Sequence, residues 1–230
     1  MTGPIIASCE DMLASTVELA GLRVIDVGCG DGRFTRFMAS EGADVTGIEC
    51  NAEQLAAAGR HPPVAEERYV GGTGENLPAA PASVDLITFF SSLHHVPVGS
   101  QMKALMDAAI ALRPGGLLYI SEPLASGPSF EMFQPIDDET EIRAAAYDVI
   151  RDAATTGLRA RQEIIHQTED KYPDLESLEA EVIRIDPARA AIFEQKRPFL
   201  KARFHQFARE THNGDYAFAQ PMRVNLLMKP

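Results

Sequence analysis

Short apolar runs alternate with segments of helical period through the first half of the chain. "LRVIDVG" (22–28) is brief, apolar and rich in β-branched residues, the pattern of a strand buried on both faces. "DGRFTRFMASEGA" places Phe34, Phe37 and Met38 at helical spacing and stops at Gly42. "DVTGIE" is the next strand, and "NAEQLAAAGR" a helix with Asn51 as its N-cap. "ERYVGG", "SVDLITFF" and "LLYISEP" predict three more strands, with a helix over "SQMKALMDAAIALRPGG" ended by Pro114 and Gly115. A helix over 5–20 precedes all of these. Strand and helix recur at intervals of roughly 20–25 residues, which predicts an α/β doubly wound, mostly parallel sheet.

The pattern changes after Pro123. "DDETEIRAAAYDVIRDAA" carries Ile142, Ala146, Val149, Ile150 and Ala153 on one helical face. "ARQEIIHQ" predicts a sixth strand and "QPMRVNLLMK" a seventh. Between them, "SLEAEVIRI" and "PARAAIFEQKRPFLKARFHQFARE" are helical, with Pro198 forcing a break or kink. The expected organisation is one domain over 1–230. It has a core at 21–123 and a helical lid in segments of about 124–156 and 169–217, the second inserted between the last two strands. Six phenylalanines (Phe130, Phe133, Phe193, Phe199, Phe204 and Phe207) fall in the lid, mostly as its own core.

Composition narrows the class. With 45% apolar and 23% charged residues, the chain is an ordinary globular one. A net charge of -12 argues against nucleic acid and against an anionic membrane surface, since both need clustered Lys and Arg. The three cysteines, Cys9, Cys29 and Cys50, are widely spaced. They argue against a disulfide scaffold or zinc site and for a reducing, cytoplasmic setting. The N-terminus lacks the pattern of a signal peptide, and no apolar run reaches membrane-spanning length. No metal-ligand spacing is convincing. His61, His166, His205 and His212 are isolated and read as structural or exposed.

Candidate chemistry begins at "VIDVGCGDGR" (24–33). Three glycines, Gly28, Gly30 and Gly32, follow a strand that ends in an acid, Asp26, and precede a helix. Glycine is costly in regular structure, so the loop predicts that something approaches the backbone closely. A polar group can meet loop amides at a helix N-terminus. The dinucleotide fingerprint G-x-G-x-x-G would require a third glycine where Arg33 stands, so an oxidoreductase is disfavoured.

The G-x-G-x-G loop after Asp26 resembles the first motif of the class I S-adenosylmethionine-dependent methyltransferases. The small-molecule branch, similar to ubiquinone- and menaquinone-biosynthesis enzymes, is the nearest. Glu49 at the end of the second strand, "GTGENLP" (72–78), "VDLITFFSSLHHVP" and "ALRPGGLLYISEP" follow in the family's order. The resemblance implies a seven-stranded sheet with a helical lid and methyl transfer from S-adenosylmethionine to a small-molecule acceptor. It implies cofactor contacts at Asp26, Gly28, Cys29, Gly30, Gly32, Glu49, Cys50, Thr73, Gly74, Glu75, Phe90 and Ser91. Thr73 stands where the family often has an acid. Glu49 would accept from ribose hydroxyls, and Asp26 would either structure the loop or meet the cofactor's amine. His94, His95 and Glu122 would face the acceptor. One histidine serves as a general base, with His95 the closer match, or else the pair only packs and caps the turn. A non-catalytic cofactor-binding or assembly protein is the alternative.

Overall fold

The computed structural model describes residues 5–230. In chain order it contains β1 (Ile5–Ile6), α1 (Cys9–Thr16), β2 (Arg23–Val27), α2 (Arg33–Ser40), β3 (Asp44–Glu49), α3 (Ala52–Arg60), β4 (Arg68–Gly71) and β5 (Val84–Phe90). A 3₁₀ turn at Leu93–His95 leads into α4 (Val98–Ala111) and β6 (Leu112–Pro123). Then come α5 (Pro128–Phe133), α6 (Thr140–Arg151), β7 (Arg159–Tyr172), α7 (Leu175–Ile185), α8 (Ala190–Phe207), β8 (Arg209–Glu210) and β9 (Tyr216–Met228).

The chain forms two compact units. The larger spans Cys9–Pro123, Ile142–Ile165 and Arg223–Pro230. Its sheet runs β7-β9-β6-β5-β2-β3-β4, the seven strands expected. β2 pairs in parallel with β3 and β5, β3 with β4, and β5 with β6. From β2 the chain builds outward to β3 and β4, then returns to place β5 on β2's other side. That reversal leaves a crevice at the carboxyl ends of β2 and β5, where open α/β sheets bind ligands. The central strands are apolar on both faces because helices cover both. Leu86, Ile87, Phe89, Leu118 and Ile120 have no exposed surface. Burying one such side chain contributes about 1.5–3 kcal/mol.

The segment of about 124–156, expected as the first part of a lid, divides between the units. Ala146, Ile150 and Ala153, on the apolar face seen in the sequence, pack with Leu105, Leu118 and Leu227 in the core of the larger unit. Helix α6 from Ile142 onward therefore belongs to the larger unit, and Leu124–Glu141 to the smaller one.

The smaller unit comprises the described residues up to Ser8, with Leu124–Glu141 and His166–Met222. It has a separate core of Met132, Tyr172, Leu178, Phe193, Leu200, Phe204 and Phe218. Most of the six phenylalanines are consumed here, as expected, while Phe199 is half exposed and flanked by the Arg203 guanidinium. Two results differ from the sequence reading. Ile5 and Ile6 are not helical: they pair in parallel with His166 and Gln167. With β8, this brings the strands to nine rather than seven. Pro198 does not end its helix: α8 runs through it, anchored by buried Phe193 before it and Leu200 and Phe204 after. Packing on both sides offsets the one missing hydrogen bond. His166 is structural, its Nδ1 lying 3.2 Å from the Ala7 carbonyl.

Candidate functional site

The glycine loop leaves the end of β2 and enters α2. Gly28, Gly30 and Gly32 all have positive φ, at 70°, 57° and 82°. Their reasons differ. A Cβ on Gly28 would lie 2.6 Å from Ser92 Cβ, and one on Gly32 would lie 2.6 Å from the Tyr69 ring. Those two glycines admit the protein's own side chains. A Cβ on Gly30 would meet nothing within 4 Å. Of the three glycines the sequence assigned to an approaching ligand, Gly30 alone has its Cα facing open space.

Glu49 ends β3 beside this loop and is 8% exposed. Its Oε2 accepts from the Gly30 amide at 2.9 Å and its Oε1 from the Asn51 amide at 2.8 Å. The Asn51 side chain in turn caps α3 through the amides of Glu53 and Gln54. The carboxylate is thus held at the crevice by two amides, with the Cys50 thiol also donating to Oε1 at 3.6 Å, and Oε2 keeps a further lone pair for a ligand hydroxyl.

Asp26 lies beneath the loop, 1% exposed. Thr35 Oγ1 donates to its Oδ2 at 2.7 Å and Thr88 Oγ1 to its Oδ1 at 2.9 Å. Asp26 thus ties β2 to α2 and β5. Burial pushes its carboxyl up from 3.8 to about 6, against the lowering effect of the two hydroxyls. The folded protein therefore holds this proton more tightly than the unfolded chain. Stability should fall by about 3 kcal/mol as pH rises from below 4 to above 6. Asp26→Asn should remove that falling limb, a difference that urea titrations at pH 4.5 and 7 would read.

Cys29 is buried, its Sγ 2.8 Å from where a Cβ on Gly47 would stand. Burial and the neighbouring carboxylates Asp26 and Glu49 push its thiol up, so it stays neutral. Cys50 is exposed, its thiol raised by burial and by Glu49. Neither is activated as a nucleophile. Thr73 and Asn76 form an isolated bridge that closes a turn. Gly74 sits in it against Phe89, Val27 and Val96, where a Cβ would lie 3.3 Å from each. The Glu75 carbonyl accepts from Lys103 Nζ.

At the end of β5, Phe90 stacks on Phe34 with ring centroids 4.1 Å apart. Ser91 follows with φ 49°, unusual for a residue with a side chain, and its amide donates to the Ser121 carbonyl at 2.8 Å. Ser92 Oγ donates to the Val27 carbonyl at 2.6 Å. Glu122 organises the next turn. Its Oε1 accepts from the amides of Ser92 at 3.2 Å and Leu93 at 2.9 Å, and its Oε2 bonds His94 Nδ1. His94 is buried and His95 exposed, their rings 4.1 Å apart. The structure thus distinguishes the two histidines, pairing His94 with Glu122 where the sequence favoured His95.

Glu122 does more than the acceptor contact expected of it, since it caps the turn and orients His94. Thr35 and Thr88 were missed. Thr88 had a signal, a hydroxyl inside an otherwise apolar strand, whereas Thr35 gave none, because only tertiary packing brings it to Asp26.

Residues 25–120 match the family described as "Methyltransferase domain". A malonyl-[acyl-carrier protein] O-methyltransferase of Pectobacterium atrosepticum is 37% identical over 127 residues, covering 55% of this chain and 48% of that protein. A ubiquinone biosynthesis O-methyltransferase of Psychrobacter cryohalolentis is 35% identical over 145 residues, covering 59% of this chain and 54% of that protein. The chain thus spans about half the length of the curated relatives it matches. The solved YcgJ protein of Bacillus subtilis shares the fold at TM-score 0.63 and 19% identity, over 95% of this chain and 96% of that one. No helix among the described residues is long and apolar enough to cross a membrane. The glycine loop, the acid that ends β3 and the β2/β5 crevice all lie within the segment that resembles a methyltransferase domain, and the fold is the one shared with the solved YcgJ protein.

Proposed function

We propose that the protein is an S-adenosylmethionine-dependent methyltransferase that alkylates an oxygen of a small-molecule acceptor by in-line transfer. The observation that carries the reading is the Gly30–Glu49 pair: a glycine whose Cα faces open space, and whose amide donates to a carboxylate fixed at the crevice. The donor set fits the cofactor. Glu49 offers acceptors to ribose hydroxyls, Gly30 lets the ligand approach, and the turn at Thr73, Gly74 and Glu75 flanks the adenine. Phe90 and Ser91 stand at the switch point. Cys29 and Cys50 border the site without reacting.

When bound, the cofactor supplies a methyl group on a sulfonium whose leaving group is a neutral thioether, so no general acid is needed. What this chain supplies is alignment, which can contribute ~7–11 kcal/mol, and a base for an acceptor hydroxyl. Glu122 accepts the Nδ1 proton of His94, which assigns basicity to Nε2. Support for an oxygen acceptor comes from the names of the two relatives, both O-methyltransferases. The acceptor-lid role expected of 169–217 belongs to the same proposal. Its support is that this stretch has its own apolar core and so folds around itself.

Isothermal titration tests the cofactor reading. Wild-type protein should bind S-adenosylmethionine and S-adenosylhomocysteine. Glu49→Ala, which removes up to two charge-assisted hydrogen bonds of ~1.5–3 kcal/mol each, should weaken both by about tenfold or more while the fold persists. Unchanged affinity in a folded variant would remove Glu49 from the site.

A further inference from the structure

Eight buried side-chain polar atoms among the described residues have no hydrogen-bond partner. Three of them belong to residues linked to the Phe34–Phe90 stack. The Tyr119 hydroxyl belongs to a ring 5.5 Å from Phe90, and the Ser121 hydroxyl to the residue in register with Phe90. Tyr119 and Ser121 alternate along β6 and so share a face. The third is Glu10 Oε2, on α1. Its other oxygen, Oε1, takes Arg33 Nε at 2.7 Å, and the Arg33 guanidinium lies 5.3 Å from the Phe34 ring centroid. Arg33 is the first residue of α2, so the Glu10 carboxylate is tied through that side chain to the start of the helix that follows the glycine loop.

Buried polar atoms without partners are rare, and an unsatisfied carboxylate oxygen is among the most costly. A carboxylate oxygen can be satisfied only by a donor, whereas the two hydroxyls can donate or accept. A primary ammonium brings three donors and a positive charge. Asp26, the acid the sequence offered for that group, is 1% exposed beneath the loop and bonded by Thr35 and Thr88. Glu10 is an acid with one oxygen that has no partner. Arg33 holds one edge of its carboxylate and fixes the other.

We propose that Glu10 Oε2 accepts a hydrogen bond from the α-ammonium of bound S-adenosylmethionine, with the Tyr119 and Ser121 hydroxyls lining the same amino-acid end. This rests on the cofactor reading above. Glu10 lies outside the matched segment 25–120, so no family motif marks it.

Isothermal titration with three ligands tests it: S-adenosylhomocysteine, its analogue lacking the α-amino group, and methylthioadenosine, which lacks the amino-acid end. Wild-type protein should prefer S-adenosylhomocysteine to the deamino analogue by about tenfold to a hundredfold, the range of one charge-assisted bond. Glu10→Gln should lose that preference while binding the deamino analogue and methylthioadenosine as wild type does. Equal wild-type affinities for the first two ligands would overturn the proposal whatever the variant does. So would a Glu10→Gln protein that keeps the preference, or one that loses affinity for all three ligands by the same factor. Wild-type protein that binds none of the three would overturn the cofactor reading, and this inference with it.

Discussion

Gly30→Val should leave a folded protein that no longer holds the cofactor. At φ 57° a side chain costs about 1–2 kcal/mol, and a β-branched one is worse placed than most. No protein atom within 4 Å of the new Cβ would clash, so the loop should survive the strain. The added methyl groups would project into the space beside the Gly30 amide and the Glu49 carboxylate, where the ligand must approach. Affinity should fall by about a hundredfold or more, roughly 3 kcal/mol. Gly32→Ala provides the contrast. Its Cβ would lie 2.6 Å from the Tyr69 ring, so this variant should lose stability first and binding only through misfolding. Thermal melts alongside titrations with S-adenosylhomocysteine would separate the two. A folded Gly30→Val protein with wild-type affinity would end the explanation of the loop given above.

His94→Ala should slow methylation of a hydroxyl acceptor by ~10²–10⁴-fold with cofactor affinity nearly unchanged. His94 is 3% exposed and paired with Glu122, so its ring is fixed in orientation and tautomer. His95, the residue closer to the family pattern, is exposed and should tolerate Ala with a much smaller loss. Glu122→Gln should act in the same direction through orientation: an amide nitrogen presented to Nδ1 would favour the wrong tautomer. Full activity of His94→Ala on a hydroxyl acceptor would leave alignment as the sole source of rate.

Much of the larger unit was legible locally. The strands at Arg23–Val27, Asp44–Glu49 and Val84–Phe90 appear where β-branched apolar runs placed them. Asn51 caps its helix as its side-chain chemistry requires. Such features depend on periodicity and on groups within a few residues of each other. Glu49 and the glycine loop were legible too, because a strand-loop-helix turn brings its chemistry together within one crossover. The smaller unit was harder to read. Pro198 breaks helices locally, yet α8 continues, since long-range packing of Phe193, Leu200 and Phe204 outweighs a local penalty.

By itself, then, the sequence determined the winding of the sheet, the crevice at its reversal, and the acid and glycines that border it. These follow from hydrophobic period and from the near-invariant hand of crossovers. Tertiary structure alone decided which glycine opens toward a ligand, since Gly28 and Gly32 yield instead to Ser92 and Tyr69, distant in the chain. It alone closed Asp26 with Thr35 and Thr88, paired His94 rather than His95 with Glu122, and left Glu10 beside Arg33 with one oxygen unspent. Hydrogen bonds are directional and short, so whether a polar group is satisfied depends on atoms that only the folded chain brings within about 3 Å.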